Sequence, residues 1–222
     1  MMQEDFEDMR KRLLSLSEKA ADDDEPLRWF EELYDNAKRD PGLIPWATLE
    51  PNVIMMKWLE NRHLTGNALV IGCGLGDDAI GLEKLGFKVT AFDISSSCIT
   101  WCKERFPSSS TEWQVEDLLN LPASWLEKFD LVVEIHILQA IPSGGIREGG
   151  ASALPKLLNS GGHLLCIGRL DDGRQQLISP PPWPLEKKWL EEVFSSLDPV
   201  SFELFTKAES PEISRYVASW KK

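Results

Sequence analysis

A chain of 222 residues with 42% hydrophobic and 27% charged residues is long enough for one sizeable core, and its composition excludes a fibrous, low-complexity or largely disordered protein. A net charge of −12 opposes the counterion-driven binding of nucleic acid and of acidic membrane surfaces, and no basic cluster offsets it. The acidic N-terminus lacks the apolar stretch of a signal peptide, and no apolar run nears the roughly 20 residues that span a bilayer, so a cytoplasmic protein is expected.

Phe6, Met9, Leu13, Leu14 and Ala20 recur at helical spacing over residues 2–21, which predicts an amphipathic helix closed by the acidic run at 22–25 and Pro26. A second short helix is expected from about Leu27 to Ala37, presenting Trp29, Phe30, Leu33 and Tyr34, and a third after Pro51 through Trp58 and Leu59. Between them lies the irregular stretch Ile44-Pro45-Trp46. From residue 67 the pattern becomes strand–helix–strand. Ala68-Leu69-Val70-Ile71 is a continuous apolar run ended by glycines, as in a strand buried on both faces of a parallel sheet. Helices are expected over 77–85 and 95–106, and strands over 87–92, 113–115 and 129–133. A helix over 147–158, capped by Gly161-Gly162, precedes a fifth strand at 163–167. A proline-rich loop leads to a helix over 185–197 and two strand-like runs, 200–205 and 213–220, close enough to pair antiparallel. The expected fold is α/β, a doubly wound and mostly parallel sheet with a reversed strand at its end.

Gly72-Cys73-Gly74-Leu75-Gly76 joins the first strand to its helix, where glycines permit a sharp turn and a close ligand approach. A dinucleotide fingerprint needs a third small residue at position 77, and the chain has Asp77 and then Asp78. Carboxylates at a helix N-terminus disfavour a pyrophosphate but not a phosphate-free nucleoside that carries positive charge. No Gly-Lys-Ser or Gly-Lys-Thr occurs, so NAD and ATP are poor fits. Asp93, seventeen residues after Gly76, ends the second strand, where its carboxylate is expected to accept ribose hydroxyls; its other role, capping the next helix, could fall to Ser95 or Ser96 instead. Glu116-Asp117-Leu118 follows the third strand, placed to meet an adenine or to stand in a solvated loop. Cys73, Cys98, Cys102 and Cys166 lack zinc-ligand spacing and read as reduced and structural, so no metal is expected.

These motifs resemble, in order and spacing over residues 68–167, the class I S-adenosylmethionine-dependent methyltransferases. A looser likeness, resting on Trp29 to Tyr34, Pro45-Trp46 and Pro181 to Leu185, is to the small-molecule branch that includes thiopurine and tellurite-resistance methyltransferases and uncharacterised bacterial relatives. The resemblance implies a seven-stranded sheet with the last strand antiparallel and S-adenosylmethionine as cofactor. It implies a helical cap and lid over residues 1–62 on a Rossmann-like core at 63–222, in one structural domain. By the same resemblance Gly72, Cys73, Gly74 and Gly76 line the methionine and ribose portion, Asp93 and Ile94 the ribose and adenine, and Asp117 and Leu118 the adenine. Glu134 and Ile135 would sit under the methionine tail, Glu134 pairing with its ammonium, while Trp29 and Trp46 close over the cofactor. The expected reaction is methyl transfer to a small-molecule acceptor by in-line displacement, with His136 as candidate general base or as a packed histidine. Gln139, Arg169 and Trp183 are candidates for the acceptor pocket. Competing readings are an inactive cofactor-binding regulatory or scaffold protein and a nucleotide-dependent oxidoreductase.

Overall fold

The structure is a computed structural model that describes residues 11, 14–15, 27–60, 62–173 and 182–222. The helix expected over 2–21 lies almost wholly outside the described residues, as do the acidic run behind it and Pro181. Among the described residues no helix is long and apolar enough to cross a membrane.

Helix α1 (Arg28–Ala37) buries Trp29, Leu33, Tyr34 and Ala37, one face of a 3.6-residue period, and stops at Lys38, whose left-handed backbone ends the helix. Helix α2 (Val53–Leu59) starts at Asn52, whose side chain accepts hydrogen bonds from the amides of Ile54 and Met55. The alternating part then runs β1 (Asn67–Ile71), α3 (Asp77–Lys84), β2 (Lys88–Asp93), α4 (Ser96–Arg105), β3 (Glu112–Val115), β4 (Phe129–Ile135), α5 (Gly145–Leu157) and β5 (Leu158–Asp171). The chain closes with β6 (Leu185–Glu186), α6 (Lys187–Val193), β7 (Asp198–Lys207) and β8 (Ser210–Lys221).

The strands form one sheet in the order β3-β2-β1-β4-β5-β8-β7, with the two-residue β6 pairing on β5. Every pair from β3 to β5 is parallel. Strand β8 inserts antiparallel between β5 and β7, so it alone is reversed. β1 shows why the sheet is covered twice. Ala68 and Val70 enter a core with α2, α3 and α4, whereas Leu69 and Ile71 enter the opposite core with α5 and α6. A smaller cluster, from Trp29 and Leu33 to Leu75, Cys98 and Trp101, fastens α1 onto α4. Burial on both faces is what makes the β1 sequence continuously apolar.

Two expectations change in detail, and one alternative is decided. Gly161 and Gly162 do not cap α5; the backbone is already extended at Leu158, which pairs with Phe129, and both glycines lie within β5. They sit where the β4 register shifts between Phe129 and Leu131, and a Cβ on Gly162 would stand 2.8 Å from the Phe129 carbonyl oxygen. The helix expected from Leu185 begins at Lys187, because Leu185 and Glu186 pair with Leu170 and Asp171. Ser95, not Asp93, caps α4, its hydroxyl accepting from the Cys98 amide.

Candidate cofactor site at the carboxyl edge of the sheet

Strand order reverses between β1 and β4, and a crevice opens beyond their carboxyl ends, the usual ligand position in open α/β sheets. Ile71 and Gly72 from β1, Phe92, Asp93 and Ile94 from β2, Glu116 to Leu118 after β3, and Ile137 and Ile141 after β4 form its walls. Leu27 and Phe30 from the start of α1 roof it, leaving a cavity of about 50 Å³.

The glycine loop is shaped by backbone demands. Gly72, Gly74 and Gly76 have φ of 55°, 53° and 88°, a region that L side chains avoid. The Cys73 amide donates to the Phe92 carbonyl, which ties the loop to the end of β2. Asp93 is the second tie. Its carboxylate accepts from the Gly74 amide at 3.2 Å and from the Ser95 amide at 3.0 Å while also facing the crevice. Burial pushes its pKa up to about 6 against those two amide hydrogen bonds. The Asp117 side chain accepts from the Leu119 amide, and Leu118 is packed beneath it at 6% exposure.

The chemistry of the lining tests which ligand fits. Among the described residues, three carboxylates, Asp93, Glu116 and Asp117, and no Lys or Arg border the crevice. A diphosphate would meet only like charge there, whereas an adenosyl group needs acceptors for its ribose hydroxyls and purine amine. The two aspartates of α3 contribute differently from the sequence expectation. Asp77 is held bidentate by Arg105 at 2.8 and 2.9 Å, so its charge is compensated. Asp78 accepts from the Asn52 amide at 2.6 Å, and burial raises its pKa to about 6. The crevice lining therefore carries more of the argument against phosphate than the helix start does.

Above the loop stands an aromatic group. Trp46 Nε1 donates to the Tyr34 hydroxyl at 2.9 Å, and both side chains come within 4 Å of the place a Gly74 Cβ would occupy. Phe30 and Trp29 stack at 3.9 Å, each edge-on to Trp46. Phe30 faces the crevice; Trp29, 3% exposed, packs between α1 and α4. α1 is clasped in place by Glu31, whose carboxylate accepts from the hydroxyls of Ser95, Ser96 and Ser97 and from the Ser97 amide.

Glu134 does not line the crevice. It is fully buried, and Oε1 accepts from the amides of Ile137 and Leu138 at 2.7 and 3.0 Å, bracing the turn after β4. Ile135 packs against the core on the α3 side. In that turn His136 adopts φ 63°. Gln139 clamps it: Nε2 donates to the Arg169 carbonyl at 2.6 Å, and Oε1 accepts from the Arg169 amide at 2.7 Å and from His136 Nδ1 at 2.9 Å. With Oε1 fixed as acceptor, Nδ1 carries the proton and Nε2 keeps its lone pair. Burial drives the His136 pKa down to about 4, so the ring is neutral. Trp183 joins the same turn, its amide donating to the Gln139 carbonyl at 2.8 Å. Among the described residues no group of three His, Cys, Asp or Glu could hold a metal ion.

Residues 68–162 match the sequence family described as "Methyltransferase domain". These residues, fewer than half of the chain, carry a methyltransferase domain. The curated relatives include "Probable thiol methyltransferase 2" of Arabidopsis thaliana, 28% identical over 74% of this chain and 71% of that protein. "Thiocyanate methyltransferase 1" of the same plant is 24% identical over 81% and 80%. In fold the methyltransferase is similar to the N-methyltransferase NodS of Bradyrhizobium japonicum in complex with S-adenosyl-l-homocysteine, with a TM-score of 0.64, 19% identity, and 86% and 98% of the two chains covered.

Of the site residues expected for this methyltransferase, the crevice brings together Gly72, Asp93, Ile94, Asp117 and Leu118. Cys73, Gly74 and Gly76 shape the loop behind it, and Trp46 stands over Gly74. The sequence reading missed Leu27, Phe30, Phe92, Ile137 and Ile141 as lining residues. Phe30 had a signal, since it belongs to the aromatic stretch already singled out.

The buried acid of the methyltransferase gives a pH dependence. Burial raises the Glu134 pKa from 4.5 to about 7, so the folded state holds its proton more tightly than the unfolded state. Its stabilising share is therefore full below about pH 4.5 and lost as pH rises through 7, a change of about 3 kcal/mol. Denaturant midpoints measured from pH 4.5 to 8 should fall less steeply in Glu134→Gln than in the wild type; parallel curves would contradict the assignment.

Proposed function

We propose that this methyltransferase transfers the methyl group of S-adenosylmethionine to a small thiol-class acceptor, drawn into line with the donor between the turn after β4 and the aromatic group of α1. When bound, the cofactor supplies an activated methyl on a positively charged sulfur. Asp93 holds the ribose hydroxyls with lone pairs its two amide bonds leave over, and Asp117 accepts from the purine amine with Leu118 against the ring. Phe30 on the crevice and the exposed Trp46 beside Gly74 supply aromatic rings that suit a cation. Glu134 acts through the turn it braces. Leu27 and Phe30 form a lid on the crevice, consistent with residues 1–62 as a cap on the core, and ligand entry displaces it.

The observation that carries the acceptor class is the state of His136. A neutral imidazole with a pKa near 4 is a poor proton acceptor at pH 7, although its Nε2 can orient an X–H group. Acceptors that arrive already ionised need no stronger base, and thiols meet that condition far better than alcohols. Two relatives bear thiol and thiocyanate names, which agrees with this reading. Trp183, held by its amide on the Gln139 carbonyl, and Arg169, whose backbone Gln139 clamps, stand on the acceptor side in this reading, with the buried Gln139 positioning both. We place the enzyme in the cytoplasm, in keeping with four free, buried cysteines, and without a nucleic-acid or membrane partner, in keeping with its charge of −12.

Labelled-methyl transfer measured across thiol, thiocyanate, halide, amine and phenol acceptors tests this. Thiols should turn over fastest, with kcat/KM rising with pH up to the acceptor's own pKa, and His136→Ala should lose no more than about tenfold. Turnover confined to phenols or amines, or a loss of a thousandfold in His136→Ala, would overturn it.

A further inference from the structure

Three of the four cysteines surround a single peptide carbonyl. The Gly74 oxygen accepts from Cys98 Sγ at 2.8 Å and Cys102 Sγ at 3.0 Å, with Cys73 Sγ at 3.8 Å. The sulfurs also touch one another: Cys73 hydrogen-bonds to Cys102 and to Cys98. All are free thiols, and all are buried. Cys73 belongs to the glycine loop and the other two to α4, so the cluster bridges two elements that grip the cofactor site from below. A reduced trio of weak donors on one carbonyl is more hydrogen-bonding capacity than that oxygen needs.

Geometry excludes one of the three pairings. Cys98 and Cys102 are one helical turn apart, with Cβ atoms about 5–6 Å from each other, beyond the roughly 3.5–4.5 Å of a disulfide. Cys73 faces both across the gap, and the glycines on either side of it, at φ 55° and 53°, can rotate without a Cβ penalty. Hydrogen bonds from Cys73 and Cys98, with Arg105 nearby, hold the Cys102 thiol below the ordinary thiol range and favour it as the attacking sulfur. Cys166 lies on β5 in the other core, beside Glu134.

We propose that Cys73 and Cys102 are a modification site for oxidants of the peroxide class, which join them in a disulfide that distorts the glycine loop and switches off cofactor binding. One sulfur attacks the peroxide O–O bond, becoming a sulfenic acid and releasing water or an alcohol. The second thiol then displaces the sulfenic oxygen as water, forming the S–S bond. The two sulfurs together supply the two electrons that reduce the peroxide. The S–S bond, about 2 Å long, replaces a thiol–thiol contact and draws Cys73 toward α4. Gly72, one residue away, lines the crevice, so the shift is felt where the cofactor sits.

The test uses the full chain, reduced and then treated with hydrogen peroxide, with intact mass, peptide mapping and calorimetric titration of S-adenosylhomocysteine. The expected result is a loss of two hydrogen atoms, a crosslinked peptide pair holding Cys73 and Cys102, and affinity at least about tenfold lower that dithiothreitol restores. Cys102→Ser, with Cys102→Ala as a second variant, should keep its own affinity unchanged through the same treatment. Oxygen addition without a crosslink, or a crosslink that leaves affinity unaltered, would overturn the proposal. Binding by the untreated protein is read first, so a failure of the cofactor assignment shows separately.

Discussion

Asp93→Ala is expected to weaken binding of S-adenosylhomocysteine between tenfold and a hundredfold, equivalent to about 1.5–3 kcal/mol for a charge-assisted hydrogen bond. The same change strands the buried amides of Gly74 and Ser95, which Asp93 satisfies at 3.2 and 3.0 Å, and should lower stability by about 2–4 kcal/mol. Asp93→Asn separates the two effects. It keeps the shape and one acceptor oxygen but turns its amino group toward one of the two donors, so both readouts should still fall. The pKa near 6 adds a signature: wild-type affinity should drop as pH falls below 6, where the carboxylate is protonated, and the Asn variant should show no such step. Calorimetry across pH 5–8, with melting curves alongside, reads both. An Ala variant with wild-type affinity would remove Asp93 from the site.

Gly72→Ala should be the most damaging single methyl in the molecule for ligand binding. A Cβ there would stand 2.3 Å from Ile137 Cδ1, and the backbone sits at φ 55°. The left-handed conformation costs about 1–2 kcal/mol for a residue with a side chain. Relieving the clash drives Ile137, a crevice wall, into the space the ligand needs. The expected outcome is a loss of affinity of about a hundredfold or more with stability lower by about 1–3 kcal/mol. Gly86→Ala is the matched control, since Gly86 has φ 94° but nothing within 4 Å of its Cβ position. That variant should lose about the same backbone stability and bind normally. Equal binding losses in the two variants would mean that stability, not crevice shape, sets the effect.

The parts of the site that are local in sequence were readable before the fold was known. A continuous apolar strand running into Gly-Cys-Gly-Leu-Gly, and an acid ending the next strand, follow from what a buried parallel strand and a close backbone approach require. Contacts across distant segments were not readable. Glu31 meets Ser95 and Ser97 across 64 and 66 residues, and Cys98 and Cys102 meet Gly74 across 24 and 28, with no periodicity linking them. The choice between Trp29 and Phe30 as roof was a matter of one residue, which on a helix is a turn of about 100°. That rotation is set by Leu33, Tyr34 and Ala37 packing on α4, not by anything in the aromatic pair itself. What Glu134 braces was hidden for a related reason: alternation along β4 puts its side chain on the opposite face from Ile135, and only the turn amides show what it holds.

Every assignment above depends on a crevice that accepts an adenosyl thioether and refuses a diphosphate. Titrating the purified chain with S-adenosylhomocysteine and, separately, with NADH asks this directly. Saturable one-to-one binding of the thioether, with no heat from NADH at the same concentrations, is the predicted result. Binding of NADH, or silence toward S-adenosylhomocysteine, would contradict the account.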